Sequence, residues 1–292
     1  MSYLLTITLI WAFSFSLIGV YLAGEVDPWF SVWTRISLAC LLFLPFLRFR
    51  QLNLKLALHL MLIGSVQLGL MYAFYYHSFL YLTVPEVLLF TVMTPIYITL
   101  LNDLIDRNFN TTFFISATLA TLGAIAIRFD GINTGFIIGF LIVQGANLCF
   151  ASGQVFYKRL ISQHTHLAQH QIFGCFFIGA FITATVCLLL FGNFDKLPQN
   201  ITQWGVLIYL GLIASGIGYF AWNKGATLVN VGVLAVMNNL LIPAGIIVNV
   251  LIWNREADVI RLLIGGGIIG TALLINEYLL NKKTTRTKTS AS

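Results

Sequence analysis

Apolar runs, each about the length of one membrane crossing, follow one another along this chain and are separated by short polar breaks. A helix needs about 20 apolar residues to span a bilayer core of about 30 Å, so each run predicts one transmembrane helix. Only residues 81–83 separate the third run from the fourth, where Pro85 marks the break because proline suits a first helical turn. The ten predicted helices cover 2–23, 29–47, 56–80, 84–102, 111–128, 135–157, 167–190, 203–223, 229–252 and 259–280.

The composition agrees with an all-α polytopic membrane protein. Of the 292 residues, 59% are hydrophobic and 9% are charged, which is too little charge to cover a soluble globule of this size. The net charge of +6 lies mainly in the breaks and the tail, with no basic stripe interleaved with aromatic residues, so nucleic acid is not an expected partner. The four cysteines fall inside apolar runs without metal-type spacing, and we expect neither a metal nor a cofactor.

The Lys and Arg residues predict how the chain is oriented. Eleven of the sixteen lie in the even-numbered connections and the C-terminal tail, four lie in the odd-numbered connections, and Arg35 lies inside the second helix. Because positive charge concentrates on the cytoplasmic side, we expect an inner (plasma) membrane protein with both termini in the cytoplasm. Residues 281–292 form a basic tail expected to lie near anionic headgroups.

Two stretches of the chain match each other when it is aligned with itself. Gly69 and Tyr72 pair with residues 216 and 219 at an offset of 147, and Pro95 and Arg107 pair with residues 243 and 255 at an offset of 148. Each half, 1–132 and 133–280, would hold five helices, and an odd number inverts the second half relative to the first. We therefore predict two inverted five-helix repeats, the architecture of alternating access. The alternative is chance matching in a biased composition.

Matched prolines point to a binding site near the middle of the membrane. Pro95 in the fourth helix and Pro243 in the ninth each remove a backbone donor, which frees the carbonyl of Thr91 or of Asn239. A free carbonyl is tolerated in a membrane where it lines a cavity or meets a polar group. The alternative is an ordinary proline kink.

Neutral polar residues near these prolines are the candidates for substrate binding. Among the neighbouring asparagines we favour Asn239, because it matches Thr91 in the repeat. Tyr72 and Tyr219 are cavity candidates, whereas Trp222 fits an interfacial aromatic belt. Hydrogen bonding between helices is the competing interpretation of the polar residues. The candidates from the residues alone are Tyr72, Thr91, Thr94, Tyr219, Asn238 and Asn239.

Three ionisable residues within or beside apolar runs are candidates for coupling or gating, together with the two prolines. Arg35 inside a helix must be paired, snorkel or face water. Glu86, with His77 as its expected neighbour, is our first choice for an ionisable coupling group. The alternative places Glu86 and His77 in the headgroup region. Both a proton and a counter-substrate remain open as coupling partners.

The order of several short motifs resembles the EamA branch of the drug/metabolite transporter superfamily. The resemblance runs through both halves and departs from the family at Asn102 and Asp103, where Gly-Glu is frequent. The residues on which the resemblance rests are Trp11, Ala12, Phe13, Arg35, Ala39, Tyr72, Ala73, Pro95, residues 218–223, Pro243, Glu256 and the glycines of the tenth helix.

The resemblance implies a carrier of small metabolites such as amino acids, carboxylates or amines. It implies a cavity between the third, fourth, eighth and ninth helices with contributions from the first and sixth. It also adds Trp11, Ser14, Asn147 and Gln154 to the substrate-binding candidates.

From these observations we predict a secondary transporter, not an enzyme, that moves a small metabolite across the lipid bilayer by alternating access. A receptor or scaffold without transport is the first alternative and a membrane enzyme the second. The glycines at 265, 266, 267 and 270 are typical of close helix packing and leave a homodimer open.

Overall fold

The structure, a computed structural model, describes residues 2–105 except 49 and 51, Arg107, residues 134–229 and single positions between 234 and 278. All regular structure in these residues is helical, and seven helices are long and apolar enough to cross a membrane. They are α1 (Ser2–Leu22), α2 (Pro28–Phe46), α3 (Leu54–Ser78), α4 (Val84–Ile105), α5 (Thr134–Ser162), α6 (Gln169–Phe191) and α7 (Ile201–Thr227).

These helices confirm the first four predicted runs and the sixth to eighth, with ends that differ by a few residues. The break between α3 and α4 falls at residues 79–83, with Pro85 in the first turn of α4 as expected. The predicted fifth helix lies outside the described residues, and the ninth and tenth are described only at single positions, so the count of ten helices and the two inverted repeats stay predictions.

α5 and α7 both continue several residues beyond their predicted ends. In α5, the charged residues there remain helical and find partners. The Lys158 amine donates a hydrogen bond to the carbonyl of Val229, and Arg159 donates to the side-chain oxygen of Asn102 at 3.1 Å. The sequence pattern placed these cations in a connection, but their long side chains reach polar atoms of neighbouring segments.

Side chains cap the helix starts that follow the short breaks. Asp27, Asn53 and Asn200 each accept the backbone N–H three residues later, at 2.7, 2.7 and 2.9 Å. At the start of α4, the Glu86 carboxylate accepts from the backbone N–H and the hydroxyl of Thr83, at 2.8 and 2.9 Å. These bonds satisfy donors that a helix leaves unpaired at its first turn.

α3 and α6 cross with their backbones in contact, and glycines on both helices make this possible. A Cβ atom on Gly64 would lie 1.8 Å from the carbonyl oxygen of Phe176, and one on Gly179 would lie 1.9 Å from that of Met61. No side chain fits at such distances. The crossing therefore requires glycine at both positions.

Among the described residues, three helices contain π-helical turns: Ile18–Leu22 in α1, Ser65–Leu70 in α3 and Tyr209–Ile217 in α7. The last two are at related places, because the repeat offset of 147 carries residues 65–70 onto 212–217. π turns occur often at functional sites, and the α7 segment ends two residues before Tyr219, which lines the cavity described next.

Candidate functional site

A cavity of about 640 Å³, measured to include its open end, lies between the helices. Of the seven helices, all except α6 contribute to its wall. The lining residues are Trp11, Ser14, Phe15, Ile18, Arg35, Met71, Tyr72, Tyr75, Thr91, Thr94, Ala146, Asn147, Phe150, Tyr219, Asn238 and Leu241.

Arg35 is the cation of this cavity, and its hydrogen-bond partners are neutral. Its side chain is 2% exposed, and the guanidinium donates to the hydroxyls of Ser215, Tyr76 and Tyr72 at 3.0, 3.0 and 2.7 Å. The guanidinium also lies over the Tyr72 ring, 4.1 Å from its centroid. These contacts hold a positive charge inside the helix bundle, and none of them supplies a negative charge.

A tyrosine hydroxyl beside this cation has no hydrogen-bond partner. Tyr75 lines the cavity, is 7% exposed, and its hydroxyl is buried without a hydrogen bond. A buried unsatisfied hydroxyl is costly unless a ligand completes it. The Tyr219 hydroxyl lies 4.0 Å from the sulfur of Met71. The Tyr75 hydroxyl is thus available to a bound molecule.

Aromatic rings form the apolar part of the wall. The ring of Trp11 lies 5.9 Å from Phe150, 5.2 Å from Tyr219 and 4.8 Å from Trp222, between centroids. Trp222 is 1% exposed, so its assignment to an interfacial belt is wrong. Its indole nitrogen donates to Gln154 at 3.2 Å inside the bundle, which explains its burial.

The interruption of α4 frees a different carbonyl from the one that Pro95 alone predicts. The segment Thr91–Met93 is a 3₁₀ turn, in which the Thr94 N–H donates to the carbonyl of Thr91. The carbonyl of Thr91 is therefore satisfied locally, and the expectation that it is free is wrong. The Phe90 carbonyl, which Thr94 would serve in a regular α-helix, instead accepts from the side-chain nitrogen of Asn147 at 2.8 Å.

The Asn147 side chain joins α5 to this break in α4, and two other amide side chains, those of Gln154 and Asn238, bond each other. The Asn147 oxygen accepts from the Thr94 hydroxyl at 3.1 Å. Gln154 and Asn238 exchange hydrogen bonds between their amides at 3.4 and 3.3 Å. Asn238 lines the cavity, whereas Gln154 is not a lining residue and contacts the site through its hydrogen bonds to Asn238.

Of the predicted substrate-binding residues, the structure brings eight to the cavity wall: Trp11, Ser14, Tyr72, Thr91, Thr94, Asn147, Tyr219 and Asn238. Asn239 and Pro243 lie outside the described residues. Arg35, predicted as a coupling or gating residue, also lies on the wall and adds the second helix to the set that the family resemblance implied.

The remaining coupling candidates have structural contacts away from the lining. Glu86 takes part in the capping of α4 described above. His77 bonds the carbonyl of Ala73 through Nδ1 at 2.7 Å and packs on Trp29, with ring centroids 4.4 Å apart. Pro95 is buried in α4, two residues after the end of the 3₁₀ turn.

Three of the site residues that the sequence analysis did not identify have a specific role in the geometry. Ser215 binds the guanidinium of Arg35, Tyr75 offers the unpaired hydroxyl, and Phe150 stands one turn after Asn147 on α5. Spacing from Tyr72 and Asn147 identifies the last two as neighbours on a helix. Ser215 carries no such signal, because its partner lies 180 residues away in the chain. Within the described part of the chain, no group of three metal-ligating side chains occurs.

A multi-pass helical bundle that encloses a polar cavity with a buried cation has the layout of a membrane carrier. The family model described as EamA-like transporter family matches residues 1–129 and 137–277. The chain therefore belongs to the EamA-like transporter family, in the drug/metabolite transporter superfamily.

Relatives match this chain over nearly their whole length. The probable biotin transporter of Pseudomonas aeruginosa is 51% identical over 95% of this chain and 97% of its own. The biotin transporters of Salmonella typhimurium and Escherichia coli are 46% and 45% identical, each over 98% of this chain and 96% of their own. A crystal structure that is 16% identical superposes with a TM-score of 0.66 over 95% of this chain and 96% of that one, which shows the same fold.

Proposed function

We propose that this protein is a secondary transporter of biotin that works by alternating access around the cavity. The support is twofold: relatives at 45–51% identity are named as biotin transporters or a probable one, and the cavity between the helices is lined by a buried cation and by aromatic rings. The expectation of amino acid transport finds no support in these names. Biotin does fall within the carboxylates that the family resemblance included.

One observation carries the assignment of an anionic substrate: Arg35 is buried on the cavity wall with only hydroxyl partners. A guanidinium has five N–H donors, and three are used, so two remain for a ligand. Burying a cation without a counter-charge costs several kcal/mol, and a bound anion offsets that cost. Arg35 therefore anchors the carboxylate of biotin, which is ionised at neutral pH.

The Tyr75 hydroxyl is the second group suited to that carboxylate. Tyr75 lies one turn after Tyr72 and directly before Tyr76, and the hydroxyls of those two residues hold the Arg35 guanidinium. Its own hydroxyl has no partner and can donate one hydrogen bond. A carboxylate that pairs with Arg35 would satisfy this hydroxyl as well.

The topology belongs to the same proposal. Residues 1–132 and 133–280 form two inverted halves, both termini lie in the cytoplasm, and the protein resides in the inner membrane. A proton or a counter-substrate drives the cycle, and the glycine-rich last helix offers a surface for a homodimer.

Uptake of labelled biotin into proteoliposomes tests this function. The wild-type protein should take up biotin, an excess of amino acids should not compete, and biotin methyl ester should compete at least tenfold less well than biotin. Arg35→Gln should lose saturable uptake, and Arg35→Lys should recover little of it, because an ammonium cannot reproduce the three-hydroxyl geometry. The exposed Arg48→Gln is the matched control and should transport normally. Absence of biotin uptake would reject the function, and an unchanged KM in Arg35→Gln would reject the anchor.

A further inference from the structure

Two threonine hydroxyls on the cavity wall donate their hydrogen bonds to other groups of the protein. The Thr91 hydroxyl donates to the carbonyl of Leu88 at 2.6 Å, and the Thr94 hydroxyl donates to the side-chain oxygen of Asn147 at 3.1 Å. A hydroxyl has one proton and two lone pairs. Toward the cavity, both residues therefore offer hydrogen-bond acceptors.

Two side-chain amides on the wall also donate all their N–H groups within the protein. Asn147 donates both side-chain N–H groups, to the Phe90 carbonyl at 2.8 Å and to Gln144 at 3.1 Å. Asn238 donates both of its own, to the Leu234 carbonyl at 2.8 Å and to Gln154 at 3.3 Å. The bonds to backbone carbonyls fix each amide orientation, because only nitrogen can donate there. What each amide has left is a lone pair on its oxygen.

The cavity thus carries two kinds of polar wall. Arg35 presents only donors, whereas Thr91, Thr94, Asn147 and Asn238, the acceptor wall, present only acceptors. The rings of Trp11, Phe150 and Tyr219 pack against one another on the same cavity lining. A ligand that fits must have an anion, an apolar part and N–H donors.

We infer that the acceptor wall selects the substrate by the N–H groups of its cyclic urea. This inference rests on the proposed function, since biotin combines a carboxylate, an apolar chain with a sulfur ring, and a urea with two N–H groups. The wall discriminates because a ligand without these N–H groups leaves buried acceptors unpaired and brings no donor in exchange. An acid with a sulfur ring but no N–H group, such as lipoate, should therefore be refused.

A competition assay with labelled biotin in proteoliposomes separates the features of the ligand. Desthiobiotin keeps the urea and the carboxylate but lacks the sulfur ring, so it should compete within about tenfold of biotin. Lipoate and N-methylbiotin, which lacks one urea N–H, should each compete at least about tenfold more weakly, as expected for a site built to bind N–H donors.

Variants of Thr91 in α4 test whether the acceptor wall is responsible for this selection. Thr91→Val removes the acceptor oxygen, and we expect a several-fold higher KM for biotin and a smaller preference for biotin over N-methylbiotin. Thr91→Ser keeps the oxygen and should retain the wild-type preference. Thr99→Val is the matched control, because the Thr99 hydroxyl is buried on the same helix, bonds the carbonyls of Pro95 and Ile96, and is away from the cavity lining.

The outcomes distinguish this inference from the function that it rests on. If biotin itself is not taken up, the proposed function fails and this inference falls with it. If biotin is taken up but lipoate or N-methylbiotin competes as well as biotin, the function stands and the selection by N–H groups is wrong. If Thr91→Val keeps the wild-type preference while biotin uptake is normal, the assignment to the acceptor wall is wrong.

Discussion

The indole nitrogen of Trp11 lies 2.8 Å from the carbonyl oxygen of Ala214 and donates a hydrogen bond to it. Ala214 belongs to the π-helical segment of α7, where the N–H of Gly218 donates to Ile213 and Ser215. A side chain of α1 therefore serves a carbonyl of an irregular turn in α7. The bond that Asn147 donates to Phe90 in α4 follows the same pattern.

Loss of the indole donor should weaken the contact between α1 and α7. We expect Trp11→Phe to lower the free energy of unfolding by about 1 kcal/mol, the usual scale for a hydrogen bond between membrane helices. Thermal unfolding in detergent measures this effect. Trp204→Phe is the control, since its 42% exposed side chain makes no hydrogen bond in the described structure. Equal stability of the two variants would count against a stabilising role of the Trp11 bond.

The effects of substitutions at Asn147 and Pro95 on stability should be coupled, although the two residues lie on different helices. Asn147→Leu leaves the Phe90 carbonyl unpaired, and we expect a loss of about 1 kcal/mol. Pro95→Ala restores a backbone donor for Thr91, so the Thr94 N–H can return to Phe90 and make the Asn147 bond dispensable. A double-mutant cycle should therefore show that Asn147→Leu costs less in the Pro95→Ala background. Additive losses would mean that the break in α4 does not depend on this proline.

Glu86 should act on the stability of α4. Its carboxylate accepts two hydrogen bonds from Thr83, so Glu86→Ala should cost about 1 kcal/mol. Glu86→Gln should retain most of the stability, because glutamine also serves in a capping box. The pH profile of transport by Glu86→Gln decides between this role and the coupling role expected from the sequence. A cap predicts the wild-type profile, and a shifted profile would support coupling.

The crossing of α3 and α6 should not tolerate a single added methyl group. Gly179→Ala places a Cβ atom 1.9 Å from the Met61 carbonyl, and separating the helices should cost about 3 kcal/mol. Gly205→Ala in α7 is the matched control, because nothing lies within 4 Å of its added Cβ. That variant should be more stable than wild type by about 0.5–1 kcal/mol, since alanine favours a helix. The two variants should therefore shift the unfolding temperature in opposite directions.

Much of the cavity could be predicted from the sequence because its signals are local. A polar residue in an apolar helix must find a partner or a cavity, and that rule identified Arg35 and Thr94, whereas Asn147 came from the family resemblance. The place of Glu86 was harder to predict, because a carboxylate one residue after a proline suits both a cap and a site.

The sequence by itself determined that the chain crosses the membrane many times and holds one cation inside the bundle, because twenty-residue apolar runs and a lone arginine need no knowledge of contacts. Only the tertiary structure decided how that cation is held and which polar groups remain for a ligand. Ser215 and Arg35 are 180 residues apart, and the free hydroxyl of Tyr75 is visible only once all neighbouring donors and acceptors are placed. Hydrogen-bond satisfaction depends on contacts between helices, which the order of residues along one helix does not contain.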